Sequence, residues 1–142
     1  MREFRDKVAV ITGAASGIGR AVAERCVKEG MRVVLADVEE DALTRAEAAM
    51  SDTGATVLAV PTDVSAASDV EALAQKTLEA FGAVHLVHNN AGVVVGGRVW
   101  ENTVDDWAWV MGVNMWGVIH GIRVFVPLML EQNTEGHIVN TA

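Results

Sequence analysis

No tyrosine occurs among the 142 residues, and cysteine occurs once. These residues therefore offer no phenol as a proton donor or acceptor, and Cys26 cannot close an internal disulfide. A lone cysteine with no secretory signal ahead of it points to a reducing compartment, the cytoplasm. Basic residues are also scarce: 11 Lys and Arg stand against 19 Asp and Glu, a formal net charge of −8. That balance excludes nucleic acid as a partner, because nucleic acid needs a basic face, and it excludes an anionic lipid surface for the same reason. Proline occurs only twice, and no repeat, low-complexity tract or linker interrupts the chain. One domain with a real core is expected over residues 1–142. The longest apolar stretch, residues 110–130, contains Asn114, His120, Arg123 and Pro127. Burial against protein, with no membrane span, is the expectation there.

What is present is alternation. Short β-branched runs at residues 7–12, 31–37, 55–63, 83–90 and 136–142 read as strands. Helical spacing fills residues 17–30, 39–50, 66–82 and 103 to about 130. Val22, Cys26 and Val27 form one apolar stripe; Val70, Leu73, Ala74, Thr77 and Leu78 form another. Gly30 and Gly82 sit where helices end, Thr103 with Asp106 resembles a capping box, and Pro127 is expected to kink or end the last helix. Alternating strand and helix predicts an α/β fold, a doubly wound parallel sheet of order 3-2-1-4-5. The sequence ends within its fifth strand, so the domain is expected to be incomplete at its C-terminus.

Polar residues collect at the strand ends: Thr12-Gly13, Asp37, Asp63, Asn89-Asn90 and Asn140-Thr141. In an open parallel sheet these ends share one edge, and ligands bind where the strand order reverses, here between the first and fourth strands. "TGAASGIG", Thr12 to Gly19, follows a strand and opens a helix. Gly13 permits the tight exit, Gly17 leaves backbone room for a pyrophosphate, and Gly19 allows close helix packing, with helix N-terminal amides facing the phosphates. No Lys-Ser/Thr pair follows, which excludes a nucleoside-triphosphate loop. Asp37, 24 positions after Gly13, is placed to accept hydrogen bonds from an adenosine ribose. It would repel a 2′-phosphate by ~4 kcal/mol per unit charge at roughly 4 Å and an effective dielectric of about 20. Val38, Glu39 and Ser16 supply no compensating cation, so NAD is expected over NADP.

With these motifs in order, the sequence resembles the short-chain dehydrogenase/reductase family, in its classical NAD-using branch. "TGAASGIG" is similar to that family's cofactor turn, "NNAG" (Asn89 to Gly92) to its fourth-strand motif, Asn114 in "VMGVNMWGV" to its helix asparagine, and "GHIVN" to its fifth strand. The resemblance implies a Rossmann fold. It implies that Gly13, Ser16, Gly17, Ile18, Gly19 and Asp37 meet the cofactor, and that Asp63 and Val64 hold the adenine. Asn90 would meet the ribose on the nicotinamide side, with Ala91 and Gly92 packing nearby. Asn114 would help hold a water in a proton relay. The implied reaction transfers hydride between nicotinamide and an alcohol or ketone, using a serine, a tyrosine and a lysine. Those three positions would follow Ala142, so the 142 residues alone are expected to be inactive, with Asn114 the only catalytic-class position present. The resemblance also implies a homo-oligomer, a dimer or tetramer, built on the long helix. A non-catalytic NAD-binding sensor or carrier is the alternative; a sugar-nucleotide epimerase fits the glycine spacing less well.

Other residues point to packing. His85 and His88, three apart on a strand, face opposite sides, and His120 and His137 have no partner at ligand spacing; no metal site is expected. Trp100, Trp107, Trp109 and Trp116 read as packing or interface residues, with Trp100 a candidate for the substrate mouth.

Overall fold

In the computed structural model, which describes residue 1 and residues 3–142, five strands form one sheet. They are β1 (Val8–Thr12), β2 (Arg32–Asp37), β3 (Val57–Pro61), β4 (Leu86–Asn89) and β5 (His137–Asn140). Their order is β3-β2-β1-β4-β5 and every pairing is parallel, as the alternation predicts. Five helices connect or flank them: α1 (Gly17–Lys28), α2 (Glu40–Ser51), α3 (Ala67–Phe81), α4 (Val104–Met111) and α5 (Gly117–Glu131).

The strand period of two sorts the core into two layers. Ala9, Ile11, Val33 and Leu35 pack against Ala23 and Cys26 of α1 and Leu43, Ala46 and Met50 of α2. Their chain neighbours Val10, Val34 and Ala36, with Val60, pack on the other face against Val70, Leu73 and Ala74 of α3 and Phe125 of α5. Both faces of the central strands are covered, which is why those strands read as continuous apolar runs. Burial pushes the Cys26 thiol above its ordinary range, consistent with a small apolar packing role.

Local signals set most of the helix ends. Gly30 follows α1 at φ +80°, Gly82 caps α3 at φ +73°, and Thr103 and Asp106 form the capping box that opens α4. One feature departs from the expectation. The helix expected over 103–130 is interrupted by a π turn, Gly112–Trp116, between α4 and α5. A π turn adds a residue to one turn and re-aims the side chains that follow it. It sits where the backbone is pressed against the loop after β3: a Cβ on Gly117 would lie 2.7 Å from Val64 Cγ2. Of the two outcomes expected of Pro127, a kink or an end, the helix does not end there, since α5 continues to Glu131. Phe125, fully buried, anchors α5 on the sheet and offsets the hydrogen bond that proline removes.

The segment Val104–Glu131 is long and apolar enough to cross a membrane by length and composition, with mean hydropathy 1.4 over its best window. The expected burial against protein is met on one face only, 22% of that window. Trp107, Trp109, Met111, Met115, Trp116 and Ile122 remain exposed. β5 pairs with β4 alone and is largely exposed.

Candidate functional site

A crevice of about 620 Å³ opens at the carboxyl edge of the sheet, where the strand order turns between β1 and β4. Its floor and sides are supplied by the loops that leave β1, β2, β3 and β4, with one wall from α4 and the π turn. Of the residues singled out from sequence, Gly13, Ser16, Gly17, Ile18, Asp37, Asp63, Val64, Asn90, Ala91 and Gly92 line it. Gly19 and Asn114 do not; each holds a neighbouring segment instead. A slightly larger cavity, about 650 Å³, lies at the opposite, amino edge of the sheet among Val27, Met31, Met50 and Thr56. It lacks the clustered strand-end polar groups that the crevice gathers.

The glycine turn is tight for definable reasons. Gly13 adopts φ +65°, and a Cβ there would come within 2.9 Å of Ala91 Cα. A Cβ on Gly19 would lie 2.2 Å from the Gly13 carbonyl oxygen and 2.6 Å from Asn90 Nδ2. Around Gly17, at φ +53°, a Cβ would meet nothing within 4 Å. The turn is therefore closed toward β4 and open toward the crevice. Ser16 precedes α1 in extended conformation with no hydrogen bond from its side chain to the helix, and no acidic residue occupies the first helical turn. The helix N-terminal amides are therefore not engaged by a side chain of their own first turn. Ile18, although apolar, is 64% exposed at the rim.

Asp37 ties two of these loops together. Its Oδ2 accepts from Ala15 N at 3.0 Å, and its Oδ1 accepts from Glu39 N at 3.1 Å. Each carboxylate oxygen keeps a further lone pair for a ligand hydroxyl. Asp63 Oδ1 accepts from both the backbone N and the hydroxyl of Ser65, at 2.9 and 2.6 Å, and no described hydrogen bond uses Oδ2.

The β1–β4 seam is built on Thr12, whose role the sequence did not reveal. Its buried hydroxyl oxygen accepts from Asn90 N at 2.9 Å and Ala91 N at 3.0 Å, and its proton goes to the His88 carbonyl at 3.3 Å. Asn90 Nδ2 donates back to Thr12 O at 3.1 Å. Asn90 Oδ1 is thus the acceptor for the Thr141 hydroxyl, 3.3 Å away. His88 Nε2 and Thr141 Oγ1 are also within hydrogen-bond distance, 2.8 Å, the donor being set by the His88 tautomer. His88 Nδ1 is buried with no hydrogen-bond partner. Burial pushes the His88 pKa below its ordinary value, because a charged ring would lose hydration without gaining a counterion. His85, on the other side of the strand, accepts from Val8 N through Nδ1, so the two rings share no site. Among the described residues no group of three or more His, Cys, Asp or Glu is arranged to hold a metal ion.

Asn114 lies in the π turn. Its Oδ1 accepts from Val93 N at 2.8 Å and its Nδ2 donates to Val93 O at 2.9 Å. This two-pronged clamp holds the loop after β4 against the helix. The π turn is what the sequence lacked a signal for, since one extra residue in a turn is decided by tertiary packing. Thr62, Ser65, Val93, Trp109, Val113 and Thr141 also line the crevice. Trp100 does not: it is exposed on a 3-10 turn, under the guanidinium of Arg98.

The comparisons with known proteins agree with this architecture. A family model described as short chain dehydrogenase matches residues 7–142. A solved short chain dehydrogenase/reductase from Burkholderia phymatum, in complex with NAD, superposes with a TM-score of 0.98 at 59% identity. That match covers all of this chain and 50% of the other. Among curated proteins, a CLA biosynthesis dehydrogenase/reductase from Lactiplantibacillus plantarum is 37% identical over 142 residues, covering 100% of this chain and 50% of the relative. A 1-deoxy-11-beta-hydroxypentalenate dehydrogenase from Streptomyces exfoliatus is 41% identical over 141 residues, covering 98% of this chain and 51% of the relative. The chain spans about half the length of these relatives.

Proposed function

The chain belongs to the short-chain dehydrogenase/reductase family, and from that membership we propose that it forms the dinucleotide-binding part of an NAD-dependent oxidoreductase acting on an alcohol or ketone. The observation that carries this reading is the crevice itself. A glycine turn open toward the cavity, the N-terminus of α1 and the Asp37 carboxylate line one continuous space. That set of donors and acceptors fits a dinucleotide: amides for the pyrophosphate and a carboxylate for a ribose diol. The absence of a Cβ at Gly17 leaves the approach free.

In this reading Gly13, Ser16, Gly17 and Ile18 cradle the pyrophosphate, and Gly19 keeps the turn closed behind it. Asp37 accepts from the adenosine ribose and disfavours a 2′-phosphate. Asp63 and Val64 hold the adenine, Asn90 meets the nicotinamide-side ribose, and Ala91 and Gly92 pack beside it. The bound nicotinamide supplies hydride chemistry; the protein supplies position and field. Asn114 keeps Val93 and the β4 loop in place and retains one amide proton and one lone pair for an ordered water. The exposed face of α4 and α5 outside the crevice supports a homo-oligomer, in which a second copy covers Trp107, Met111, Met115 and Trp116. The small-molecule substrate would sit next to the nicotinamide.

Calorimetric titration of the intact protein with NAD and NADP tests the reading. Saturable binding with a clear preference for NAD is expected; binding of neither dinucleotide would refute it.

A further inference from the structure

Four tryptophans crowd the approach to the long helix, and all four are exposed, yet only Trp109 lines the crevice. It stands on α4 one turn before Val113, which lines the same space. The contacts around it fix which part of the crevice it faces. A Cβ on Gly112 would lie 3.5 Å from Ser65 Cβ, and one on Gly117 would press on Val64. His120 Nδ1 is 2.9 Å from the Val64 carbonyl. The α4–α5 segment therefore lies across the loop that leaves β3, so Trp109 belongs to the wall formed with Thr62, Asp63, Val64 and Ser65. Val38, Val64 and Val113 make that side apolar, and Asp63 Oδ2 is its uncommitted acceptor. Trp109 is 52% exposed, so its indole is accessible from the crevice that it lines. A flat heteroaromatic ring bearing an exocyclic amino group matches all three features: aromatic face, apolar side and carboxylate acceptor.

We propose that Trp109 is a specificity-determining residue of the crevice, stacking its indole on the purine base of the bound dinucleotide. This rests on the dinucleotide reading above and adds to it the residue that selects the base. Stacking is sequence-tolerant among nucleobases but strongest for purines with large π faces, so Trp109 selects a purine end while Asp63 selects its amino group. Trp107 and Trp116, outside the crevice, have no part in this.

The test uses the intact protein and three probes: NAD, AMP and nicotinamide mononucleotide. AMP does not absorb indole emission, so quenching by AMP does not arise from energy transfer, and the tryptophan variants locate its source. AMP is expected to quench the intrinsic fluorescence, and Trp109→Leu to abolish that quenching while Trp107→Leu leaves it intact. Trp109→Leu should weaken NAD and AMP binding by roughly ten- to hundredfold, measured by calorimetry, with nicotinamide mononucleotide unaffected. Trp109→Phe should restore most of the lost affinity, which also guards against a folding defect in the leucine variant. Unchanged NAD and AMP affinity in Trp109→Leu, or equal weakening toward all three probes, would overturn the assignment. Failure of the unaltered protein to bind NAD at all would instead remove the dinucleotide reading on which it stands.

Discussion

Thr12 and Asn90 hold each other across the seam between β1 and β4, through a backbone N–H of Asn90 on the threonine hydroxyl and the Asn90 amide on the threonine carbonyl. The threonine oxygen also takes Ala91 N, so one buried hydroxyl satisfies two backbone donors at the floor of the crevice. Thr12→Val keeps the shape and removes that acceptor. The two amides are then left unpaired, at a cost of about 1–3 kcal/mol. A lower urea midpoint with an unchanged slope is expected; a variant as stable as the parent would show that the seam does not depend on this hydroxyl.

Two of the three glycines of the turn, Gly19 and Gly17, should separate cleanly on substitution. Gly19→Ala forces a methyl against the Gly13 carbonyl, so the turn must open and NAD binding should be lost along with stability. Gly17→Ala meets no atom, and its cost comes from the positive φ, about 1–2 kcal/mol. Thermal melts beside calorimetric titration distinguish them: equal effects from both variants would contradict this geometry.

Asp37→Ala should lower the NAD affinity and narrow the preference over NADP. It should also lower stability by about 1–2 kcal/mol, because Ala15 N and Glu39 N lose their acceptor. The ratio of the two dissociation constants is the decisive number, and an unchanged ratio would remove Asp37 from discrimination.

His88 makes stability depend on pH in a stated direction. Its folded pKa is depressed, so above the ordinary value near 6.5 the ring is neutral in both states and its contribution is intact. As pH falls below that value the unfolded chain takes up a proton that the fold resists, and stability declines until the folded ring itself titrates. His85 is depressed as well, by burial and by the nearby Lys7 and Arg32 charges. Denaturation midpoints measured between pH 7.5 and 5 should fall for the parent and fall less steeply for His88→Leu. Parallel profiles would show that His88 does not carry this term.

Much of the fold was legible because the central strands are buried on both faces and bounded by glycines and carboxylates. The runs around Val10 and Val34 could only be central strands, and the turn from Thr12 to Gly19 announced the edge where the crevice lies. Three features were illegible for a common physical reason: they depend on contacts far along the chain. Thr12 looked like the last residue of a strand, and its role exists only beside Asn90. The π turn around Asn114 is imposed by packing on Val64 and Ser65, and no local propensity encodes it. Trp109 was indistinguishable from Trp107 and Trp116, because a helical spacing cannot say which indole overlooks a cavity. For Pro127 the sequence left a kink or an end open, and α5 runs on to Glu131 with Phe125 anchored on the sheet.

The seam has a consequence for the order of assembly. Every described hydrogen bond between Thr12 or Gly13 and the β4 strand or its exit loop joins residues 76 to 79 positions apart. Closing so long a loop costs more chain entropy than local turns and helices do. On the ribosome the half built from β1, α1 and β2 can collapse while the crevice still lacks one side, and it becomes a binding site only when residue 90 and its neighbours have emerged. A ligand that bridges both sides then acts as a clasp on these long-range contacts, shifting the balance toward the assembled sheet in proportion to its concentration.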